Sequence, residues 1–275
     1  MNKVQTQRKE SAFSKMFATL AIPVLFIVAV LIYMFVLGNP NNFEGGDPNG
    51  HPVEDGIAHV LGLVYKGGYV VPLLITLVLI CITFSIERFL AISKASGKKS
   101  NDAFLSTVKV HLSSNNIDAA IKECDKQQGS VANVVRSTLN KYQEMEKAVD
   151  LDKDQKVLAI QKELEESVQL ELPMLERNLV IIATLASVST LVALLGTVLG
   201  MIKAFSALAS AGSPDSVALA NGISEALINT ALGIGNSALA TIMYNVFTTK
   251  IDKITYTIDE AGFTITQQFA ASHKK

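Results

Sequence analysis

Four stretches of the chain contain no Asp, Glu, Lys or Arg and are dense in apolar residues: 16–43, with its apolar core at 20–37, then 67–86, 178–202 and 226–249. A bilayer core about 30 Å thick needs roughly 20 apolar helical residues to cross it, so each stretch predicts a membrane-spanning helix. From Lys94 to Arg177 the pattern changes to polar residues and helix formers with almost no strand signal. Asn115-Asn116-Ile117-Asp118 predicts a turn and helix cap there, and Gly129-Ser130 a second break. Val157, Ile160, Leu164, Val168, Leu172, Leu175 and Leu179 then recur at helical spacing and lead directly toward the third span. Pro173, which removes one hydrogen bond, predicts a bend or local rearrangement on the way. The tail repeats the periodicity with Ile251, Ile254, Ile258, Ala261, Ile265 and Phe269. The expected fold is an all-α membrane protein with four transmembrane helices, the last two continuing into a helical cytoplasmic domain.

The expected organisation is a cytoplasmic N-terminus (1–15), a first span (16–38), a loop on the outer side (39–67) and a second span (68–92). A cytoplasmic helical domain (93–177) leads to the third span (178–208), an outer turn (209–215), the fourth span (216–249) and a cytoplasmic tail (250–275). Basic flanks set the direction. Lys3, Arg8, Lys9 and Lys15 precede the first span, while Arg88, Lys94, Lys98 and Lys99 follow the second and Lys250 and Lys253 the fourth. The first loop instead holds Glu44, Asp47, Glu54 and Asp55 against Lys66. The apolar core of the first span is longer than a signal-peptide h-region and no A-x-A site follows, so it reads as a retained anchor. The Gly/Asn/Pro-rich first half of the loop reads as turn chemistry rather than a domain.

Composition supports the membrane reading and removes other classes. Apolar residues are 49% of 275, charged residues 18%, and 27 of the 49 charges lie between residues 93 and 177. A net charge of -1 provides no basic face for nucleic acid. Cys81, Cys124 and the histidines show no disulfide or metal spacing, and His51, Glu54, Asp55 and His59 read as a solvated acidic loop. No catalytic or phosphate-loop motif is present, so neither an enzyme nor a cofactor is expected.

The last two spans differ from the first two. In the third, Ala183, Ala186, Thr190, Ala193, Thr197, Gly200 and Ala204 recur every three or four residues, making one face of small or hydroxyl side chains. The fourth carries Asn229, Thr230, Gly233, Asn236, Ser237, Ala240, Thr241 and Tyr244 on a similar stripe. Small residues permit close helix packing, whereas polar groups at this density ordinarily face a bundle interior or a watery cavity. Both explanations stand at this level. Ser213-Pro214-Asp215 resembles an N-cap with proline at the first helical position. A turn there sets Thr197 level with Thr230, Thr190 with Ser237, and Lys203 opposite Glu225. That last pair is either a salt bridge or two groups sitting separately at the interface. Mid-span there is no Asp, Glu, His or Lys, so a proton path needs a titrating carboxylate from another polypeptide.

These residues resemble a known family. Ala193-Leu194-Leu195-Gly196-Thr197-Val198-Leu199-Gly200-Met201, followed by Ala204-Phe205, is similar to the LLGTVxGM…AF signature of the ExbB/TolQ/MotA proton-channel family. Gly222-Ile223-Ser224-Glu225-Ala226-Leu227-Ile228-Asn229-Thr230-Ala231-Leu232-Gly233, then Tyr244-Asn245, resembles its GIxEALxxTAxG…YN. Asn116-Ile117-Asp118-Ala119-Ala120 with Cys124, and Leu175-Glu176-Arg177-Asn178-Leu179, are similar to its cytoplasmic region, and the ExbB branch is the nearest match.

The resemblance implies a homo-pentamer whose pore is lined by the last two spans. Within it stands an ExbD/TolR-like single-span partner whose aspartate carries the proton, and the motor drives a TonB-like protein that opens outer-membrane transporters. It implies that Thr197 and Thr230 are the pore threonines and that Glu225 is the family's acid of the last helix. With Thr190, Ser237, Asn229 and Asn236 they make the expected ion pathway, in a bacterial inner membrane. A TolQ-like or motility-motor ring shares the same physics, and a passive membrane scaffold is the reading from a different class. The chain departs from the family pattern at Ser189-Thr190, where Ala-Pro is usual, at Ala238-Leu239, where Ile-Pro is common, and at the more polar Asn236 and Ser237. These changes leave sodium open beside protons, with protons favoured. The first span and its loop are additional to the usual three-span plan.

Overall fold

The computed structural model describes residues 12–48, 50–209 and 215–272, with side chains from residue 19 onward. The N-terminal basic residues Lys3, Arg8 and Lys9, and the Ser213-Pro214 pair, lie outside the described residues. Among the described residues the fold is all-helical, with one isolated bridge between Phe43 and Pro52. The α-helices are α1 (Ala12–Leu31), α2 (Gly56–Tyr65), α3 (Val71–Ala95), α4 (Asn101–Ser113), α5 (Ile117–Gln127), α6 (Gly129–Lys147), α7 (Lys153–Glu176), α8 (Leu179–Ala209) and α9 (Ser216–Ser272). Among the described residues, four helices are long and apolar enough to cross a membrane. The first of these runs Thr19–Leu37, its last turn widened to π geometry over Ile32–Leu37. The second runs Gly68–Ala95, and the others lie in α8 and α9.

The described residues form two compact units. One holds the chain up to Ser85 together with Ile181–Met243. In it the first span is mostly uncovered, with Leu20, Val24, Phe26, Ile27, Met34 and Phe35 exposed and Ala29 and Leu37 buried. Such a side-chain set suits lipid, where a single-chain core is not required.

The second unit comprises Ile86–Val180 and the chain from Tyr244 onward. Helix caps set its boundaries: Ser100 accepts from the Ala103 amide, Asn116 from Ala119, and Asp152 forms a capping box with Gln155. Its core contains Phe104, Val108, Leu112, Val135, Leu139, Tyr142 and Ile160 with the apolar stripe Ile251, Ile254, Ile258, Ala261, Ile265 and Phe269 of α9. Tyr142 and Phe269 meet edge to face with ring centroids 4.8 Å apart. Glu123, nearly buried, accepts from Lys99 Nζ at 2.7 Å and from Lys126 Nζ at 3.1 Å, and these hydrogen bonds hold its carboxyl below the usual carboxylate range. Burial pushes the neighbouring Cys124 thiol up to about 12.

Two local expectations are corrected, and one helix is added. The second half of the loop between the first two spans holds α2 at residues 56–65, which the sequence pattern did not single out. The α7 periodicity does not run unbroken into the third span. Arg177 is extended (ψ 140°) and Asn178 adopts φ 60°, which ends α7 three residues after Pro173 has been absorbed within it. The buried Arg88 clamps that end. Its Nη1 donates to the Leu175 carbonyl at 3.2 Å, satisfying an oxygen that the interrupted helix leaves without an amide. Glu87 pairs with Arg88 and also accepts from Asn178 Nδ2 at 3.4 Å. Finally, the cap of α9 is Asp215, whose Oδ1 accepts from the amides of Val217 and Ala218 at 3.1 and 3.0 Å. A carboxylate two to three residues ahead of orphan amides caps them.

Candidate functional site

The site is the antiparallel pair of α8 and the first half of α9. Residues Ile182, Leu185, Ser189, Ala193, Gly196, Gly200 and Ala204 of α8 are buried, as are Gly222, Ala226, Asn229, Gly233, Asn236 and Ala240 of α9. The small-residue stripes are therefore chiefly where the two helices pack on one another. Backbones approach so closely that a methyl added at Gly222 would lie 2.6 Å from the Ala204 nitrogen and 2.8 Å from the Gly200 oxygen. Both of those atoms are main chain and cannot swing aside.

Threonines and serines stand at the margin of this seam. Thr197 Oγ1 and Thr230 Oγ1 are 2.5 Å apart, each half-buried. Each also reaches the carbonyl four residues back on its own helix, Thr197 to Ala193 and Thr230 to Ala226, both at 3.0 Å. Ser237 donates to the Ala186 carbonyl rather than to Thr190, and both side chains are half-buried. The register that sets Thr197 level with Thr230 is the one observed.

The asparagines behave differently from the threonines. Asn229 is fully buried and donates from Nδ2 to the Gly67 carbonyl at 2.9 Å. Asn236, also buried, donates to Ser189 Oγ at 2.7 Å. Among the described residues their Oδ1 atoms meet no hydrogen-bond donor. These two residues face the interior of the helix pair, so the structure gives no support to counting them among exposed pathway residues. The physical reason is angular: on a helix Asn229 sits about 100° round from Thr230, and Asn236 from Ser237.

Nearer the Asp215 end of the pair, Lys203 Nζ lies 2.7 and 2.8 Å from the two oxygens of Glu225. The carboxylate is buried, whereas the lysine side chain is half exposed and its ammonium sits 5.7 Å from the centre of the Tyr69 ring. Of the two sequence-level alternatives, the salt bridge is what forms. Glu225 is also pressed against Gly68, which has φ +73° and would strike the carboxylate with any added Cβ. Sequence reasoning missed the part played by Gly67 and Gly68. Two consecutive glycines immediately before a span were the available signal, since a Gly pair at a span entry marks a close backbone approach.

Glu225 and Asn229, four residues apart and thus on one face of α9, fasten both α8 and the entry to α3 onto that helix. Chemically, the arrangement presents a pair of touching hydroxyls in a charge-free stretch, with a fixed ion pair toward one end. Hydroxyls relay or solvate an ion but do not take up a proton near neutral pH. Among the described residues no group of three or more His, Cys, Asp or Glu is placed to hold a metal.

Residues 127–260 match the MotA/TolQ/ExbB proton channel family. An ExbB-like protein of Synechocystis (biopolymer transport protein ExbB-like 3) is 41% identical over 87 residues, 30% of this chain and 41% of its own length. The Tol-Pal system protein TolQ of Pseudomonas aeruginosa is 29% identical over 124 residues, 45% of this chain and 54% of its own. The biopolymer transport protein ExbB of Salmonella typhimurium is 33% identical over 81 residues, 30% of this chain and 33% of its own. The chain thus spans a third to about half of the length of these relatives, and ExbB and TolQ names occur without preference, so the expected leaning to ExbB is not sustained. With four helices among the described residues long and apolar enough to cross a membrane, the chain is a multi-pass membrane protein whose residues 127–260, from the end of α5 through most of α9, are similar to the MotA/TolQ/ExbB proton channel family.

Proposed function

We propose that copies of this chain form a ring in a bacterial inner membrane, a homo-pentamer, in which α8 and α9 line an ion path. The observation that carries this reading is the Thr197–Thr230 hydroxyl pair, level across two helices in a charge-free stretch and open at the margin of the seam. Thr190 and Ser237 extend that margin along the same helix pair. The chain has no titrating group mid-span, so an ExbD/TolR-like single-span subunit supplies the carboxylate that takes and releases the proton. Thr197 and Thr230 solvate and orient that carboxylate. The Lys203–Glu225 bridge keeps the two helices in register while the partner's carboxylate takes and releases the proton.

In the ExbB-like form of this proposal, proton flow drives a TonB-like protein and energises outer-membrane transport. The TolQ-like form, with a TolA-type output, is equally supported because a relative named TolQ matches the longest segment of the three relatives described. Basic residues Arg88, Lys94, Lys98 and Lys99 beyond the second span, and Lys250 and Lys253 beyond the fourth, favour cytoplasmic termini.

The test is native mass spectrometry of the chain with and without a co-expressed single-span partner. A five-fold ring that retains the partner supports the proposal. A monomer or dimer indifferent to the partner favours a passive scaffold.

A further inference from the structure

Helix α2 has no part in the ion path, yet it is the element that the loop between the first two spans is folded to hold. Tyr65 stacks on Tyr33 with ring centroids 4.7 Å apart, and the Phe43 ring meets Tyr65 edge-on at 5.5 Å. The Tyr33 hydroxyl donates to the Tyr65 carbonyl at 3.3 Å. Asn42 Nδ2 donates to the carbonyls of Val36 and Leu37 at 2.7 and 2.9 Å, closing the end of the first span beneath the helix. His59 Nδ1 lies 2.6 Å from the Val53 carbonyl. One side of α2 is thus fastened to the last turn of the first span. The other side carries Ile57, Val60 and Leu63, which are 79%, 55% and 37% exposed. All ten residues of the helix, Gly56–Tyr65, are uncharged.

We infer that α2 is an interfacial helix, lying in the headgroup boundary of the leaflet where the first span ends, with Ile57, Val60 and Leu63 against lipid. Three observations favour lipid over another protein. Tyr65 precedes the start of the second span at Gly68 by three residues, which reach at most about 10 Å fully extended, so the end of α2 is tied to the membrane entry. The turn it packs against belongs to the first span, whose Met34, Phe35 and Val36 are themselves exposed, so the uncovered stripe continues a lipid-facing surface. Tyr33 and Tyr65 stack at this level and Tyr69 stands at the entry to the second span, and tyrosine is among the side chains that membrane interfaces favour. A short helix with one fastened side and one uncovered apolar side, flanked by Glu54, Asp55 and Lys66, has the form of an in-plane anchor. It holds the additional first span beside the second. The inference rests on the four-span reading and not on the ion path.

The chain contains no tryptophan, so single substitutions supply a site-specific fluorophore. Val60→Trp, Glu54→Trp and Phe35→Trp are placed in the full chain and reconstituted in phosphatidylcholine vesicles. Part of the lipid is brominated either near the headgroup end of its acyl chains or near their termini. The inference expects Val60→Trp to lose emission several-fold more to the shallow bromines than to the deep ones and to resist aqueous iodide. Glu54→Trp is expected to show the opposite behaviour. Quenching of Val60→Trp by iodide to the same degree as Glu54→Trp overturns the inference in favour of water. Shielding from bromine and iodide alike overturns it in favour of a covering protein. Phe35→Trp separates the two levels. If it is quenched by bromine while Val60→Trp is not, α2 fails alone. If Phe35→Trp escapes bromine too, the first span itself fails and the inference falls with it.

Discussion

The Lys203–Glu225 bridge makes an asymmetric prediction. Glu225 is 10% exposed in its side chain and Lys203 50%. Replacing the acid and replacing the base therefore leave different things behind. Glu225→Gln keeps the side-chain shape against Gly68 and an oxygen for the ammonium, and the half-exposed lysine turns to solvent. The cost is the charge-assisted part of the bonds, about 1 kcal/mol. Lys203→Met instead strands a buried carboxylate with no counter-ion, for which the typical penalty is roughly 3–5 kcal/mol. The double variant Lys203→Met/Glu225→Gln removes both charges and is expected to fall close to Glu225→Gln alone. The assay is unfolding of the detergent-solubilised chain by SDS titration, followed by helical circular dichroism, at matched protein concentration. The expected order of stability is wild type, then Glu225→Gln together with the double variant, then Lys203→Met well below. Lys203→Met equal to or milder than Glu225→Gln would refute the placement of Glu225 as the interior partner.

Gly222→Ala, whose added methyl meets three main-chain atoms under 3 Å away, is expected to cost about 1–3 kcal/mol of overpacking, less a helix-propensity gain of about 1 kcal/mol. Gly235→Ala meets nothing within 4 Å and is expected to be neutral or slightly stabilising, and equal thermal midpoints for the two variants would contradict the close approach. Cys124, buried and with its thiol raised to about 12, is expected to resist alkylation in the folded chain and to react on denaturation, as read by peptide mass. Glu123, whose carboxyl is held down by Lys99 and Lys126, contributes stability that is fully present above the ordinary carboxylate range and is lost as pH falls through its lowered value. Acid unfolding of Glu123→Gln is therefore expected to show a flatter limb below about pH 5 than wild type.

Length and charge made the four spans legible, because a charge-free apolar run of some twenty residues has few other homes. The helix at 56–65 escaped because ten residues with two glycines, placed after a run of turn residues, carry too short a period to stand out. Its signal was the absence of charge between Asp55 and Lys66. The break at Arg177–Asn178 was hidden because the apolar spacing from Val157 to Leu179 runs across it. Proline drew attention to residue 173, yet the helix ends where an asparagine tolerates φ 60° and where Arg88 donates to the Leu175 carbonyl. In the last two spans the hairpin register correctly placed Thr197 by Thr230 and Lys203 by Glu225. Sequence spacing did not separate packing residues from marginal ones, since Asn229 and Thr230 differ by one position and only the neighbouring helix decides which of them turns inward.

The central claim is that the Thr197–Thr230 margin conducts. It is tested most directly by proton uptake into vesicles that hold the chain together with the proposed single-span partner, for wild type, Thr197→Val and Thr230→Val. Each hydroxyl lost costs only about 1 kcal/mol of helix association, so assembly checked by native mass spectrometry is expected to persist. The account predicts that flux collapses in both variants while the assembly stays intact. Wild-type flux through both valine variants would contradict it and leave the seam as packing alone.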